Sequence, residues 1–579
     1  MASPALWDTF PAMNRNGHAK GGHSLRPTPS TLGLTVVLAA SVVIGWLAFV
    51  YLVLPGPPPA WDEAAHALQA ALIAHDLREL DLMSLLFDTY RQVYWPPLHS
   101  WLVGGAFLVA GQSLEVARGV SVLALVLLAP TLFLIGRTVE PRHGILAGSV
   151  AAALALTSPG LITFAAQSML ELPGLLAIGA TILAYCALER HPEAPPRAHA
   201  LLGVGTVLAY LVKSNYGILL VIAIVVTKLI AVGFRAHRLA SKQNLYAALP
   251  LSIFCVVWFA YPPKVLSTWN ALVNQPWGAE DVRGFLGLWF YPRAMADFSG
   301  SWWVSALLWG GLAATWKSRG KPGIVFLAVL PLTLLGISTF HHTKLPRHIL
   351  PVFPALFVLA GVAAAELWAW LRSRGRCIRT AAIGLLAGIT ALHAATLTRR
   401  DWFPTEPRRI TDVLDYVSGL TRKHTPVLVI GTMGTWPEPP VIDWHLAAVE
   451  GLLPVTAAGA AMDPRHERRL AGTIGDAPMP ERLRASALRV VGRFDAPSAT
   501  RSLHVGDRFL EEHDQFEAVL QETLEGDPPR SIIAVVGTSD STRYPASFVA
   551  PGPARAGFHE VSVREFPRAG TLVYVYSRP

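Results

Sequence analysis

Eleven apolar windows run through this chain, near residues 32–54, 118–136, 144–164, 171–188, 198–212, 216–233, 245–261, 301–316, 322–340, 346–371 and 378–397. A helix needs about 17–25 mostly apolar residues to cross a hydrocarbon core, and the windows approach or reach that length. With 52% hydrophobic and 15% charged residues over 579 positions, the chain is too apolar for a soluble protein of its size. The pattern predicts a polytopic α-helical membrane protein with about eleven transmembrane helices.

The basic residues orient the spans. With a cytoplasmic N-terminus, the loops on the inner side carry Arg137 and Arg142, Arg190 and Arg197, Arg235, Arg238 and Lys242, Lys317, Arg319 and Lys321, and Arg372, Arg374, Arg376 and Arg379. That agrees with the positive-inside rule at every loop. The agreement requires the short apolar stretch Pro97–Ala110 not to cross, so it is read as a re-entrant or interfacial helix. The first window ends in Pro55-Gly56-Pro57-Pro58-Pro59 without a small-x-small cleavage pattern and is read as a retained span. These basic clusters account for the net charge of +9, and nucleic acid is not an expected partner. Cys186 and Cys255 fall in apolar windows and Cys377 in a basic loop, which offers neither a disulfide framework nor a cysteine metal site.

Three regions follow: a cytoplasmic tail over 1–31, a transmembrane module over 32–400, and a segment over 401–579 in which apolar runs shorten to strand length. Examples are Val427–Ile430, Ile532–Val536 and Thr571–Tyr576, with charged helical stretches between them, so the segment is read as a soluble α/β domain. Eleven crossings place it outside the cell (plasma or inner) membrane, on the same side as the loops 55–117 and 262–300.

The residues that suggest chemistry also fall on that side. Trp61-Asp62-Glu63 follows the first span and precedes an amphipathic run, Ala64 to Leu77, which places two adjacent carboxylates at a membrane surface. Asp62 could cap the helix that begins after it; it could equally accept the proton of an incoming hydroxyl or amine, and the two roles are compatible. His341-His342-Thr343-Lys344-Leu345-Pro346-Arg347-His348 is a basic cluster where the positive-inside rule disfavours one. Snorkelling to headgroups is one explanation; phosphate binding, with Arg347 as a planar fork, Lys344 as a point charge and His342 as a further donor, fits better. Neighbouring histidines on an extended stretch point apart, so His341 and His342 are not read as a metal site. Glu171, flanked by leucines and followed by Pro173, is costly unless paired or facing a polar cavity, whereas Lys213 reads first as a span terminator. Tyr94-Trp95-Pro96-Pro97-Leu98-His99 reads as an aromatic belt and a proline helix start, with Tyr94 and His99 as secondary cavity residues. The loop 262–300 carries Trp269, Trp277 and Trp289, an interfacial layer whose ring faces could also roof a carbohydrate site.

Four stretches together resemble the GT-C class of integral-membrane glycosyltransferases, in the branch of protein O-mannosyltransferases and the aminoarabinose transferase of lipid A. They are Pro59-Ala60-Trp61-Asp62-Glu63-Ala64-Ala65-His66-Ala67; Pro96-Pro97-Leu98-His99-Ser100-Trp101 with Ala117-Arg118; Ser168-Met169-Leu170-Glu171-Leu172-Pro173; and Thr343-Lys344-Leu345-Pro346-Arg347-His348-Ile349-Leu350-Pro351. The resemblance covers roughly residues 30–400, and it is the order of four weak motifs that makes it specific. It implies a polyprenyl-phosphate-linked sugar donor, a lipid, glycan or protein acceptor, membrane lipids as surroundings, inversion at the anomeric carbon and Asp62, next to Glu63, as the catalytic base. Lys344 and Arg347 then match the basic stretch near the lipid phosphate. Relatives often carry an acidic residue or a histidine before the proline where this chain has Tyr94 and Trp95, and an aspartate where it has Glu171. No metal ligands are assigned, and a divalent metal stays open as a cofactor. Rival readings are a transporter or flippase for a lipid-linked substrate and a non-catalytic assembly partner of the same fold.

Overall fold

A computed structural model describes residues 29–374 except 93–94, 261–263, 266–279, 283, 322 and 341–342. Beyond 374 it describes 410–423, 427–432, 439–450, 500–505, 529–537, 551–567, 571–578 and a few single positions between them. Tyr94 and His342, the tryptophans Trp269 and Trp277, Cys377 and nearly all of the last apolar window lie outside the described residues.

The helices relevant to the site are α1 (Pro29–Ala48), α2 (Trp61–Arg78), α3 (Leu82–Arg91), α4 (Leu98–Ala110), α5 (Leu114–Val139), α6 (Gly144–Leu156), α7 (Pro159–Ala165), α8 (Glu171–Arg190), α9 (Ala200–Val212), α10 (Ser214–Ala231) and α11 (Lys242–Phe259). The two-residue strand β1 (Glu280–Asp281), α12 (Gly284–Ser299), α13 (Trp302–Ser318), α14 (Ile324–Phe340) and the matching strand β2 (Thr343–Lys344) follow. A 3-10 turn, Pro346–Val352, then leads into α15 (Phe353–Arg372). Over its described residues, each of the first ten apolar windows is mostly helical. Among the described residues, five helices are long and apolar enough to cross a membrane, or six if α6 and α7, bent by 60° at Ser158, form one broken span. The chain is an integral membrane protein. At 13 residues, α4 is about 20 Å long, well short of a hydrocarbon core of roughly 30 Å.

Small residues bring these helices into contact, as packing in lipid requires. A Cβ on Gly361 of α15 would stand 2.1 Å from the Ala147 carbonyl oxygen of α6, and one on Gly136 of α5 would stand 2.7 Å from the Gly148 backbone. The apolar core runs from α5 through α6, α8 and α10 to α15.

The chain ends in a five-stranded sheet of order β4-β3-β5-β7-β6, formed by β3 (Val427–Thr432), β4 (Thr500–Val505), β5 (Ser531–Gly537), β6 (His559–Phe566) and β7 (Thr571–Ser577). β3 pairs in parallel with β4 and β5, and β7 pairs antiparallel with β5 and β6. The runs expected to form strands lie in β3, β5 and β7. Their period-two alternation divides two faces, with Leu428, Ile430, Ile532 and Ala534 in one apolar cluster and Val427, Val429, Ile533 and Val535 in another. The second cluster continues through α16 (Thr411–Lys423) and α17 (Pro439–Glu450) onto α2 and α4.

That continuity changes the reading of α2. The stretch Ala64–Leu77 reads as an amphipathic surface helix, yet Glu63 to Ala74 is buried. The alanines Ala64, Ala67, Ala71 and Ala74 make one face smooth enough to pack against α4 and α17, and Trp444 of α17 stacks on Phe107 of α4 with ring centroids 6.0 Å apart.

Candidate active site

Asp62 is not a helix cap. The N-cap position of α2 is Ala60, in extended backbone and without a side-chain cap bond, so Asp62 stands inside the first turn. Its charge suits the helix dipole there and its oxygens stay available to other groups. Asp62 Oδ2 accepts a hydrogen bond from Arg347 Nη1 at 2.7 Å, and the two side chains are 19% and 29% exposed. Arg347 Nε lies 4.0 Å from Glu171 Oε1, the same oxygen that accepts from Lys213 Nζ at 2.7 Å. Asp62, Arg347, Glu171 and Lys213 therefore form a chain of alternating charge drawn from α2, the 3-10 turn before α15, the start of α8 and the α9–α10 junction.

Glu63 turns elsewhere. Arg118 of α5 holds both its oxygens, Nε to Oε1 at 2.7 Å and Nη2 to Oε2 at 2.9 Å, and both side chains are 3% exposed. The Ser168 amide also donates to Glu63 Oε1 at 2.8 Å, and Arg118 Nη2 donates to the Pro57 carbonyl at 2.8 Å. The Glu63–Arg118 pair thus ties the start of α2 to α5, to the turn before α8 and to the proline-rich link after α1.

His99, at the start of α4, lies with Nε2 3.4 Å from Ser168 Oγ, and its ring meets that of His66 edge-to-face at 5.4 Å. His66, one turn after Asp62, also packs edge-to-face on Trp95 at 4.8 Å. Burial pushes the His66 imidazole down to about 3, so it is neutral at ordinary pH. Lys344 is buried, with Nζ 5.4 Å from the centre of the Tyr291 ring, and its backbone pairs with Glu280, which joins β2 to β1; the stretch 262–300, expected as a loop, is helical from Gly284 to Ser299. Among the described residues no group of three or more His, Cys, Asp or Glu is arranged to hold a metal ion.

Arg118, His66 and Tyr216 carry no role in the sequence reading. Arg118 did leave a signal, as a charged residue at the edge of an apolar window. His66 and Tyr216 are indistinguishable in sequence from core residues.

The site lies at one end of the helices that build it. Arg118 stands in the second turn of α5 and Glu140 follows its last residue; Glu171 opens α8 and Arg190 closes it; Arg347 precedes α15, whose second half carries Glu366. Each pair is separated by about 30 Å of helix, the thickness of a hydrocarbon core.

In sequence, residues 95–261 match the family of dolichyl-phosphate-mannose-protein mannosyltransferases. No curated protein matches the chain. Among solved structures, ArnT from Cupriavidus metallidurans in the apo state aligns with a TM-score of 0.52 at 16% identity, over 94% of this chain and 98% of that one. The same protein bound to undecaprenyl phosphate aligns with a TM-score of 0.51 at 15% identity, over 94% and 97%. At these identities the likeness is one of fold. The fold shared with ArnT agrees with the GT-C resemblance carried by the four motifs.

Proposed function

We propose that this protein is a glycosyltransferase that moves a sugar from a polyprenyl-phosphate-linked donor to a lipid, glycan or protein acceptor at the outer face of the membrane. The observation that carries this reading is the 2.7 Å pair between Asp62 and Arg347. It joins a carboxylate and a guanidinium 285 residues apart, and both are partly open to solvent at one end of the bundle.

The chemistry needs a base and a cation together. Attack of an acceptor hydroxyl or amine on the anomeric carbon forms the new glycosidic bond, and the bond from that carbon to the phosphate oxygen breaks on the opposite face. The bonding electron pair leaves with the polyprenyl phosphate, and the acceptor proton passes to Asp62. A phosphomonoester leaving group needs no proton, but the charge it gains needs a cation, which Arg347 supplies bidentately. In the resting protein Arg347 is shared between Asp62 and Glu171. A donor phosphate competes for the guanidinium and in doing so frees Asp62 to act as base. Lys344, buried beside Tyr291, is a second cation for the phosphate or its lipid path. Glu63 positions Asp62 through Arg118 and does not touch substrate. The positive-inside rule supports an outward-facing site, because the basic loops gather at the other end of these helices.

Asp62→Asn tests the reading through sugar transfer from a polyprenyl-phosphate donor in membranes. The expected result is a loss of roughly 10²–10⁴-fold in turnover with donor binding retained. Turnover at the wild-type rate would remove Asp62 from the chemistry.

A further inference from the structure

Three cations at the end of the bundle remote from Asp62 are used within the protein. Arg190 donates to the Thr138 carbonyl at 3.2 Å, Lys228 donates to Glu189 at 3.3 Å, and Lys321 reaches Glu140 and Glu366. Arg374, two residues past α15, is different. Its guanidinium carbon stands 4.8 Å from the centre of the Trp370 ring, and no ion pair joins it to a carboxylate among the described residues. The turn that folds Arg374 back is fixed: the Ser373 and Arg374 amides donate to the Trp370 and Leu371 carbonyls at 3.1 Å each, and the Ser373 hydroxyl donates to the Trp370 carbonyl at 2.6 Å. A guanidinium held over an indole face by cation–π attraction keeps its N–H donors free for a planar fork of hydrogen bonds.

The surface that leads to Arg374 is apolar. α15 is buried from Phe353 through Val362, yet in its last turns Leu367 is 55% and Trp370 47% exposed. Their spacing, i, i+3 and i+7 with Arg374, places the three side chains on one stripe of the helix. An exposed apolar strip thus ends in a guanidinium that has no anion of its own. Along a bilayer normal that order matches a phospholipid, with the acyl chain beside the strip and the phosphate at the fork. Arg372, 5.7 Å over Trp368, repeats the pairing on another side of the helix and adds to the positive potential of this surface. A zwitterionic headgroup carries its own cation next to the phosphate and offsets that attraction, whereas a headgroup with net negative charge keeps it.

We propose that Leu367, Trp370 and Arg374 form a binding site for an anionic phospholipid of the leaflet at this end of the bundle, with the lipid phosphate on the Arg374 fork and an acyl chain along Leu367 and Trp370. The inference goes beyond the glycosyltransferase reading and stands or falls without it.

The test is a lipid titration of the purified full-length protein in detergent micelles, with bound lipid counted by native mass spectrometry. The probes are phosphatidylglycerol, phosphatidylcholine with the same acyl chains, and soluble glycerol phosphate. The wild type should bind phosphatidylglycerol at least about fivefold more tightly than phosphatidylcholine, and glycerol phosphate should not compete. Arg374→Gln should lose about fivefold in affinity for phosphatidylglycerol with phosphatidylcholine unchanged. Trp370→Leu keeps the apolar strip and removes the ring under the guanidinium, and it should lose about two- to threefold. Arg235→Gln removes the same charge from an exposed position after α10, at the same end of the bundle, and should bind both lipids as the wild type does. The substituted side chains are all exposed, so each variant should melt at the wild-type temperature before lipid is added. The site is overturned if the wild type binds the two lipids equally, if either Arg374→Gln or Trp370→Leu keeps the full preference, if Arg235→Gln loses as much as Arg374→Gln, or if glycerol phosphate displaces the lipid at matching concentration.

Discussion

At the end of the bundle where α5 finishes, Lys321 reaches the carboxylates of Glu140 and, at 2.7 Å, Glu366, and Ser318 donates to Glu366 as well. Glu140 also accepts from the amides of Arg142 and His143, and neither Glu140 nor Glu366 has a buried oxygen without a partner. At the end where α5 begins, carboxylates again meet Lys and Arg, but Glu171 keeps one buried oxygen unbonded and the neighbouring Tyr216 hydroxyl has no partner. The same residue types make a clasp at one end and an open site at the other. What distinguishes them is whether the buried polar atoms have been satisfied by the protein itself.

Glu63 and Arg118 sharpen the contrast, because they are a closed pair placed at the open end. Glu63→Gln removes the counterion of a guanidinium that is 3% exposed. It is expected to cost on the order of 3–5 kcal/mol in unfolding measurements in detergent, and to lower sugar transfer because the turn that carries Asp62 is released. A variant of wild-type stability would show that this pair does not hold the site. Lys321→Met breaks the clasp at the far end and leaves Glu140 largely buried without its cation. The Lys321 side chain is 28% exposed, which softens the loss, so about 2 kcal/mol is expected. Turnover per folded molecule should be unchanged. If it fell with stability intact, the two ends would be coupled and the distinction between clasp and site would fail.

Much of this architecture was legible because lipid imposes simple rules. Apolar windows such as 118–136 and 171–188 can only be read as spans, and α5 and α8 contain them. β3, β5 and β7 were legible from their length and their β-branched content. Asp62 stood out because an acid beside a span is costly unless it has a purpose. That Asp62 and Arg347 share one site followed from the resemblance; their direct ion pair was not legible, since nothing local records a contact across 285 residues. Nor was the burial of α2, which depends on Trp444 and α17 covering a face that reads as solvated. The sequence reading favours Asp62 over Glu63 as the base but does not show where Glu63 goes: the 100° step between helical neighbours sends Asp62 toward Arg347 and Glu63 toward Arg118.

The central claim is that Asp62 and Arg347 act as parts of one catalytic site. A double-mutant cycle on kcat/KM for sugar transfer, with Asp62→Asn, Arg347→Ala and the two combined, tests it most directly. Two parts of one site should not add: the double variant is predicted to be no slower than the worse single variant within about tenfold. Losses that multiply across the two substitutions, each acting as though the other were intact, would contradict the account.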